Sequence, residues 1–113
     1  MTYDEAAQKA KTNNYESFAE LNTVADIIAA QAETWAAGTY SSAVRQKIQE
    51  AVQYLFTIQQ YTNQSRVNPP TMAPTNEAAA LTEMINASTA ATNQARSCWV
   101  RAQNACRTFQ AKA

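Results

Sequence analysis

The sequence predicts an all-α protein: an antiparallel three-helix bundle, up-down-up, with a short extra N-terminal helix and an overlong C-terminal helix. Three observations predict it. Apolar or small residues recur at alternating gaps of three and four along three long segments, the period at which a helix keeps one side facing a partner. The 113 residues include one Gly and three Pro, and these fall where helices should stop. A chain of this length suits a single domain, residues 1–113, with one modest core.

Thr2-Tyr3-Asp4-Glu5 reads as a capping box, in which the Thr hydroxyl and the Glu carboxylate satisfy the first free amides. It predicts a short helix over 3–11, interrupted by Thr12-Asn13-Asn14. Asn13 with Glu16 offers a box-like start for the second helix, over 14–37. That helix carries Phe18, Leu21, Ala25, Ile28, Ala32 and Trp35 at heptad spacing and ends at Gly38, the usual left-handed terminator. Hydroxyls between Thr39 and Ser42 provide the cap of a third helix, over 41–63. Its stripe is Val44, Ile48, Ala51, Leu55 and Ile58, widened by Val52 and Phe56 and flanked by Tyr54 and Tyr61.

Residues 64–75 form the linker, extended around Pro69-Pro70. Thr75 then caps a fourth helix over 76–111, with Glu77 in its first turn. The stripe of this helix is Leu81, Met84, Ser88, Ala91, Ala95, Cys98, Ala102, Ala105 and Phe109, with large residues at the ends and small ones in the middle. A second backbone can approach closely there, either within the chain or from another chain. The helix exceeds each predecessor by about twelve residues, or about 18 Å. Part of it therefore stands beyond its neighbours, covered by the short N-terminal helix or by another subunit. An overhang at the C-terminal end would present Val100, Cys106 and Phe109, which should not face water. Trp99, Val100, Cys106, Phe109, Ala95 and Ala102 are accordingly the candidate protein-interface residues. Core anchoring is the default reading for Trp35 and Trp99.

Charged residues are 16% of the chain and the formal net charge is zero, against roughly 25% charged in typical soluble domains. No global field attracts nucleic acid or anionic lipid, and Asn, Gln, Ser and Thr must keep the surface wet. Charge is nonetheless segregated. Six acids and two bases lie between Asp4 and Glu33, and two acids and four bases between Glu77 and Lys112. That pattern suits pairing of the first and last helices, or a head-to-tail contact between subunits. Arg96 and Arg107 share nearly one face while Arg101 points away, a poor phosphate track. Nucleic-acid binding is not expected.

Chemistry is sparse. The chain has no His, which removes histidine-dependent triads and Glu-x-x-His metal sites. Two Cys cannot close a zinc site alone, and one Gly cannot make a phosphate loop. Cys98 and Cys106 are about 12 Å apart along one helix, too far to bridge each other; they read as buried free thiols or as partners in an intermolecular bond. Glu16 and Glu20 share a face without further ligands. No catalytic residue, cofactor site or metal site is expected, no small-molecule substrate is evident, and the chain is not expected to be an enzyme. The N-terminus shows no Sec signal and no apolar run approaches a bilayer span, so a cytoplasmic or virion location is expected.

Trp35-Ala36-Ala37-Gly38, placed in a turn between two helices, resembles the WXG100 substrates of type VII secretion over residues 15–63. Two residues rather than one separate Trp from Gly, the C-terminal Tyr/acid export motif is missing, and a whole third helix is added. The resemblance implies a secreted helical hairpin bound to one partner.

The expected function is that of a non-enzymatic structural or assembly protein: a small helical subunit of a repeated complex, with a phage-type virion component as its specific form. Its partners are copies of itself or a fixed protein in an assembly. The alternative is a soluble helical adaptor, chaperone or WXG100-like secreted hairpin that binds one protein partner.

Overall fold

The computed structural model describes residues 1–65 and 78–113, which form α1 (Tyr3–Thr12), α2 (Phe18–Ala36), α3 (Ser42–Ser65) and α4 (Ala78–Gln110). The expected linker from residue 66 on, with Pro69-Pro70 and the Thr75 cap, lies outside the described residues; Gln64 and Ser65 belong to α3. The side chain of Leu81 also lies outside them.

α1 starts as its sequence requires. The Glu5 amide donates to Thr2 Oγ1 at 3.2 Å and the Thr2 amide donates to Glu5 Oε1 at 3.3 Å. The bonds that the Thr2 amide and hydroxyl donate to Glu5 Oε1 hold the Glu5 carboxyl below its ordinary pKa. At the other end Asn13 takes the left-handed conformation, φ 49°, a position Asn tolerates better than most residues. The expected helix start at Asn13 is therefore wrong. A residue that closes one helix in the left-handed region cannot also open the next from the extended region. α2 begins later, at Phe18, capped by extended Ser17, whose hydroxyl accepts from the Glu20 amide at 3.1 Å. Lys9 pairs with Glu20 at 3.0 Å across this corner and holds the Glu20 carboxyl below its ordinary pKa.

The end of α2 corrects a second expectation. Gly38 does not take a positive φ, and the capping residue Ala37 is right-handed. The last carbonyls find other donors. The Gly38 amide donates to the Trp35 carbonyl at 3.1 Å, and Lys112 Nζ donates to the carbonyls of Ala36 and Gly38 at 2.8 and 2.9 Å. A cation from beyond α4 thus does the work of a left-handed turn, satisfying orphan carbonyls at the negative end of the dipole. A Cβ on Gly38 would meet the Trp35 carbonyl oxygen at 3.4 Å, an ordinary contact. Gly38→Ala is therefore expected to raise stability by about 0.4–1 kcal/mol through the unfolded chain. A thermal melt checks it; a fall of several degrees would mean that the position needs glycine after all.

α3 follows after a turn, with the Val44 amide donating to Ser41 Oγ at 3.1 Å. α3 and α4 run antiparallel, since the rings of Phe56 and Trp99 lie 6.0 Å apart and those of Tyr40 and Phe109 5.2 Å apart. α4 packs along both α2 and α3, and α1 lies against α2 and α3. The result is a three-helix bundle whose α2–α3 groove is filled by α1. Tyr3 meets Trp35 edge-on at 5.0 Å there, and Lys47 sits over the Trp35 ring.

The core is built from small and branched side chains. Leu21, Ala25, Ile28 and Ala32 of α2 and Ile48, Ala51, Leu55 and Ile58 of α3 are fully buried. On α4 the buried set among the described side chains is Met84, Ser88, Ala91, Thr92, Ala95, Cys98, Ala102, Ala105 and Phe109. The small-residue side of α4 therefore closes against the chain's own helices. Hydroxyls buried with it bond back to their own helix: Thr92 Oγ1 donates to the Ser88 carbonyl and Ser88 Oγ to that of Ile85, each at 2.9 Å. No buried donor there competes with packing.

α4 has 33 residues, against 24 in α3 and 19 in α2. The antiparallel register decides which end projects. Phe56 lies opposite Trp99, so Ser65, nine residues on, falls opposite residue 90, and the turns from Ala78 onward run past the last described residue of α3. The C-terminal end does not project, because Tyr40 covers it through Phe109. Nor does α1 cover the extension, since its contacts are with α2 and α3. The described molecule is a rod, 54 Å in its longest extent and 21 and 16 Å across.

Candidate protein-interaction face

The six candidate interface residues separate into two groups. Ala95, Ala102 and Phe109 have no exposed surface and belong to the chain's own core, so the expectation that Phe109 is presented outward is corrected. Its helix end is sheltered by Tyr40 and Lys112, whose Nζ lies 5.9 Å from the centre of the Phe109 ring. Trp99 and Cys106 are half-buried and Val100 is 43% exposed. These three lie on the other side of α4, where it meets α3 and solvent.

Around them the structure gathers residues that the sequence placed elsewhere. Phe56, expected to widen the α3 core stripe, is 40% exposed. It stands five residues beyond buried Ala51, about 140° round the helix, and so leans over α4 to meet the Trp99 ring instead of entering the core. Val52, one turn earlier, is half-buried in a shallow groove with Gln49, Gln103, Cys106 and Arg107. On α4, Ile85 is 46% exposed and lies fourteen residues before Trp99, close to four whole turns. The result is an apolar strip along one side of α4, beside α3 at Phe56 and Trp99 and continuing past Ser65 to Ile85, with large side chains that contact water.

Cations border the strip. Arg96, Val100, Gln103 and Arg107 follow one another at gaps of four, three and four, which sets them in one line along the outer side of α4. Arg45 reaches the strip from the start of α3, close enough to Cys106 to oppose the rise that burial imposes on that thiol's pKa. Its Nε is buried and has no hydrogen-bond partner among the described residues. None of Arg45, Arg96 and Arg107 makes an ion pair among the described residues. Acids stand elsewhere: Glu50 lies beside Tyr3 on the α1 side, and Glu83 is two residues from Ile85, on the opposite side of α4.

Arg101 does something different. It crosses from α4 to α2, with Nη1 2.9 Å from Asp26 and Nη2 bonded to Glu33. The two carboxylates raise its already high pKa. The segregated charges thus meet within the chain, but between α2 and α4 and not, as expected, between the first and last helices. Both carboxylates stay about half exposed, so the bridge orients packing more than it stabilises it.

Cys98 is fully enclosed and Cys106 half so, and neither is in a disulfide. Burial pushes both thiols up, which makes each a weak nucleophile. Among the described residues no group of three His, Cys, Asp or Glu could hold a metal ion, and no helix is long and apolar enough to cross a membrane.

Comparison with protein families, curated proteins and solved structures finds no match to this chain. The geometry offers one chemical capability: a rigid, open, basic and aromatic face of the kind on which protein contacts concentrate their energy.

Proposed function

We propose that this chain is a non-enzymatic structural subunit of a repeated complex, with a phage-type virion component as the specific form. One observation carries the reading. Phe56, Ile85 and Val100, three of the four exposed large apolar side chains among the described residues, stand on one long side of a rod that also carries Trp99. Large apolar residues gathered on a helical rod mark a contact surface. The neutral, amide-rich remainder of the surface gives weak protection against self-association, which suits a protein covered by its neighbours.

The sequence also supports the reading, since it lacks histidine and glycine loops and so offers little for catalysis. Sedimentation or light scattering across a wide concentration range tests it. The expected result is ordered oligomers, at multiples of the 12.4 kDa chain, that grow with concentration. A clean monomer at the highest concentrations would contradict it and favour the adaptor that binds one partner in the α3–α4 groove.

A further inference from the structure

We propose, resting on the assembly reading, that the α3–α4 face of one copy takes the outer face of α2 from a second copy, head to tail. The face to be covered is apolar at its centre, with Phe56, Trp99 and Val100, and carries Arg45, Arg96 and Arg107 without an acid. Its complement is apolar and acidic. A twofold pairing of this face with itself would set arginine against arginine, a like-charge contact that costs rather than binds. The occupant is therefore a different surface.

The chain carries such a surface. On α2 and its cap, Ala19, Thr23, Asp26, Ala30, Glu33 and Ala37 follow at gaps of four, three, four, three and four, and all are exposed. Three alanines make that side smooth enough for close approach by the Phe56–Trp99 ridge. α2 contains no Lys or Arg, so its outer side is acidic. Asp26 and Glu33 already share Arg101, yet their side chains remain 59% and 47% exposed, which leaves oxygens free for a second cation. The whole molecule has the same polarity. Residues 1–40 hold six acids and two bases; the described residues from 41 onward hold two acids and six bases.

The lengths match as well. From residue 19 to residue 37 is about 27 Å of helix, and from Ile85 to Arg107 about 33 Å. A strip of that length and one helix wide buries less than the standard stable interface, so a single contact is weak. Repetition sustains it, because two different surfaces on one chain propagate into a ring or filament.

Charge reversal tests the assignment on the intact chain, read as light-scattering mass. Wild type is expected to assemble, with mass falling toward 12.4 kDa as salt rises. Arg96→Glu with Arg107→Glu, and separately Asp26→Lys with Glu33→Lys, are each expected to stay monomeric. An equimolar mixture of the two variants is expected to regain the wild-type mass. Ala19→Gln with Ala30→Gln, which adds bulk to the smooth side without adding charge beside the Arg101 ion pairs, serves as a second α2 variant and is also expected to be monomeric, with unchanged helix content by circular dichroism. If wild type assembles and the α2 variants assemble equally well, the surfaces assigned here are wrong while the assembly reading stands. If wild type is monomeric throughout, both fall. Binding of such a monomer to phosphatidylserine vesicles, lost in the arginine variant, would assign the face to lipid instead.

Discussion

Phe109→Ala is expected to cost about 3–5 kcal/mol, the range for removing a buried aromatic ring. The ring has no exposed surface and stacks on Tyr40 at 5.2 Å with their planes 27° apart. It closes the end of the bundle where α2 and α3 connect and where Lys112 caps α2. Natural domains hold only about 5–15 kcal/mol in total, so the variant is expected to be largely unfolded at modest temperature, even in dilute solution. Circular dichroism melts at low concentration check this. A variant that melts like wild type but has lost mass in light scattering would place Phe109 in a subunit contact instead.

Ala95→Leu and Ala102→Leu are each expected to destabilise by about 1–3 kcal/mol through overpacking. Both alanines are fully enclosed, where α4 approaches α2 and α3 closely. Three added carbons have no open space at a fully enclosed position, so neighbouring side chains or backbone must shift. The comparison is Ala90→Leu, on an exposed position of the same helix, expected to change stability by less than about 0.5 kcal/mol. Equal melting temperatures for all three would put the alanines of α4 in solvent.

The helices were legible because their signals are local. The Thr2 box, the breaks at residues 12–14 and 38, and the spacing of buried residues each act within a few turns of chain. The pairing partners of those helices were not legible. Gly38 illustrates it: glycine after a helix predicts a left-handed turn, but here a lysine 74 residues away supplies the donors, and no local pattern announces that. Asn13 and Ser17 show the same limit at shorter range, since both can cap and only the path of the chain decides between them.

For the interaction face, the sequence pointed to α4 but to both of its sides. Ala95, Ala102 and Phe109 read as contact residues because small and aromatic side chains suit subunit seams and core seams alike. Only register separates the two, and register depends on how far α3 extends along α4. In the sequence Phe56 reads as core because it neighbours a buried stripe. Its angular offset from Ala51 was the available signal, and Trp99 opposite it was the missing one.

The most direct test is the reactivity of the two thiols in the native protein. Cys98 stands on the closed inner side of α4 and Cys106 on the open α3–α4 face. Labelling with iodoacetamide in dilute native solution, followed by peptide mass analysis, is expected to modify Cys106 slowly and to leave Cys98 untouched until the protein unfolds. Concentrating the protein until it assembles is expected to protect Cys106 as well. Modification of Cys98 as fast as Cys106 in the folded dilute chain would contradict the account, since the inner side of α4 would then lie open to solvent.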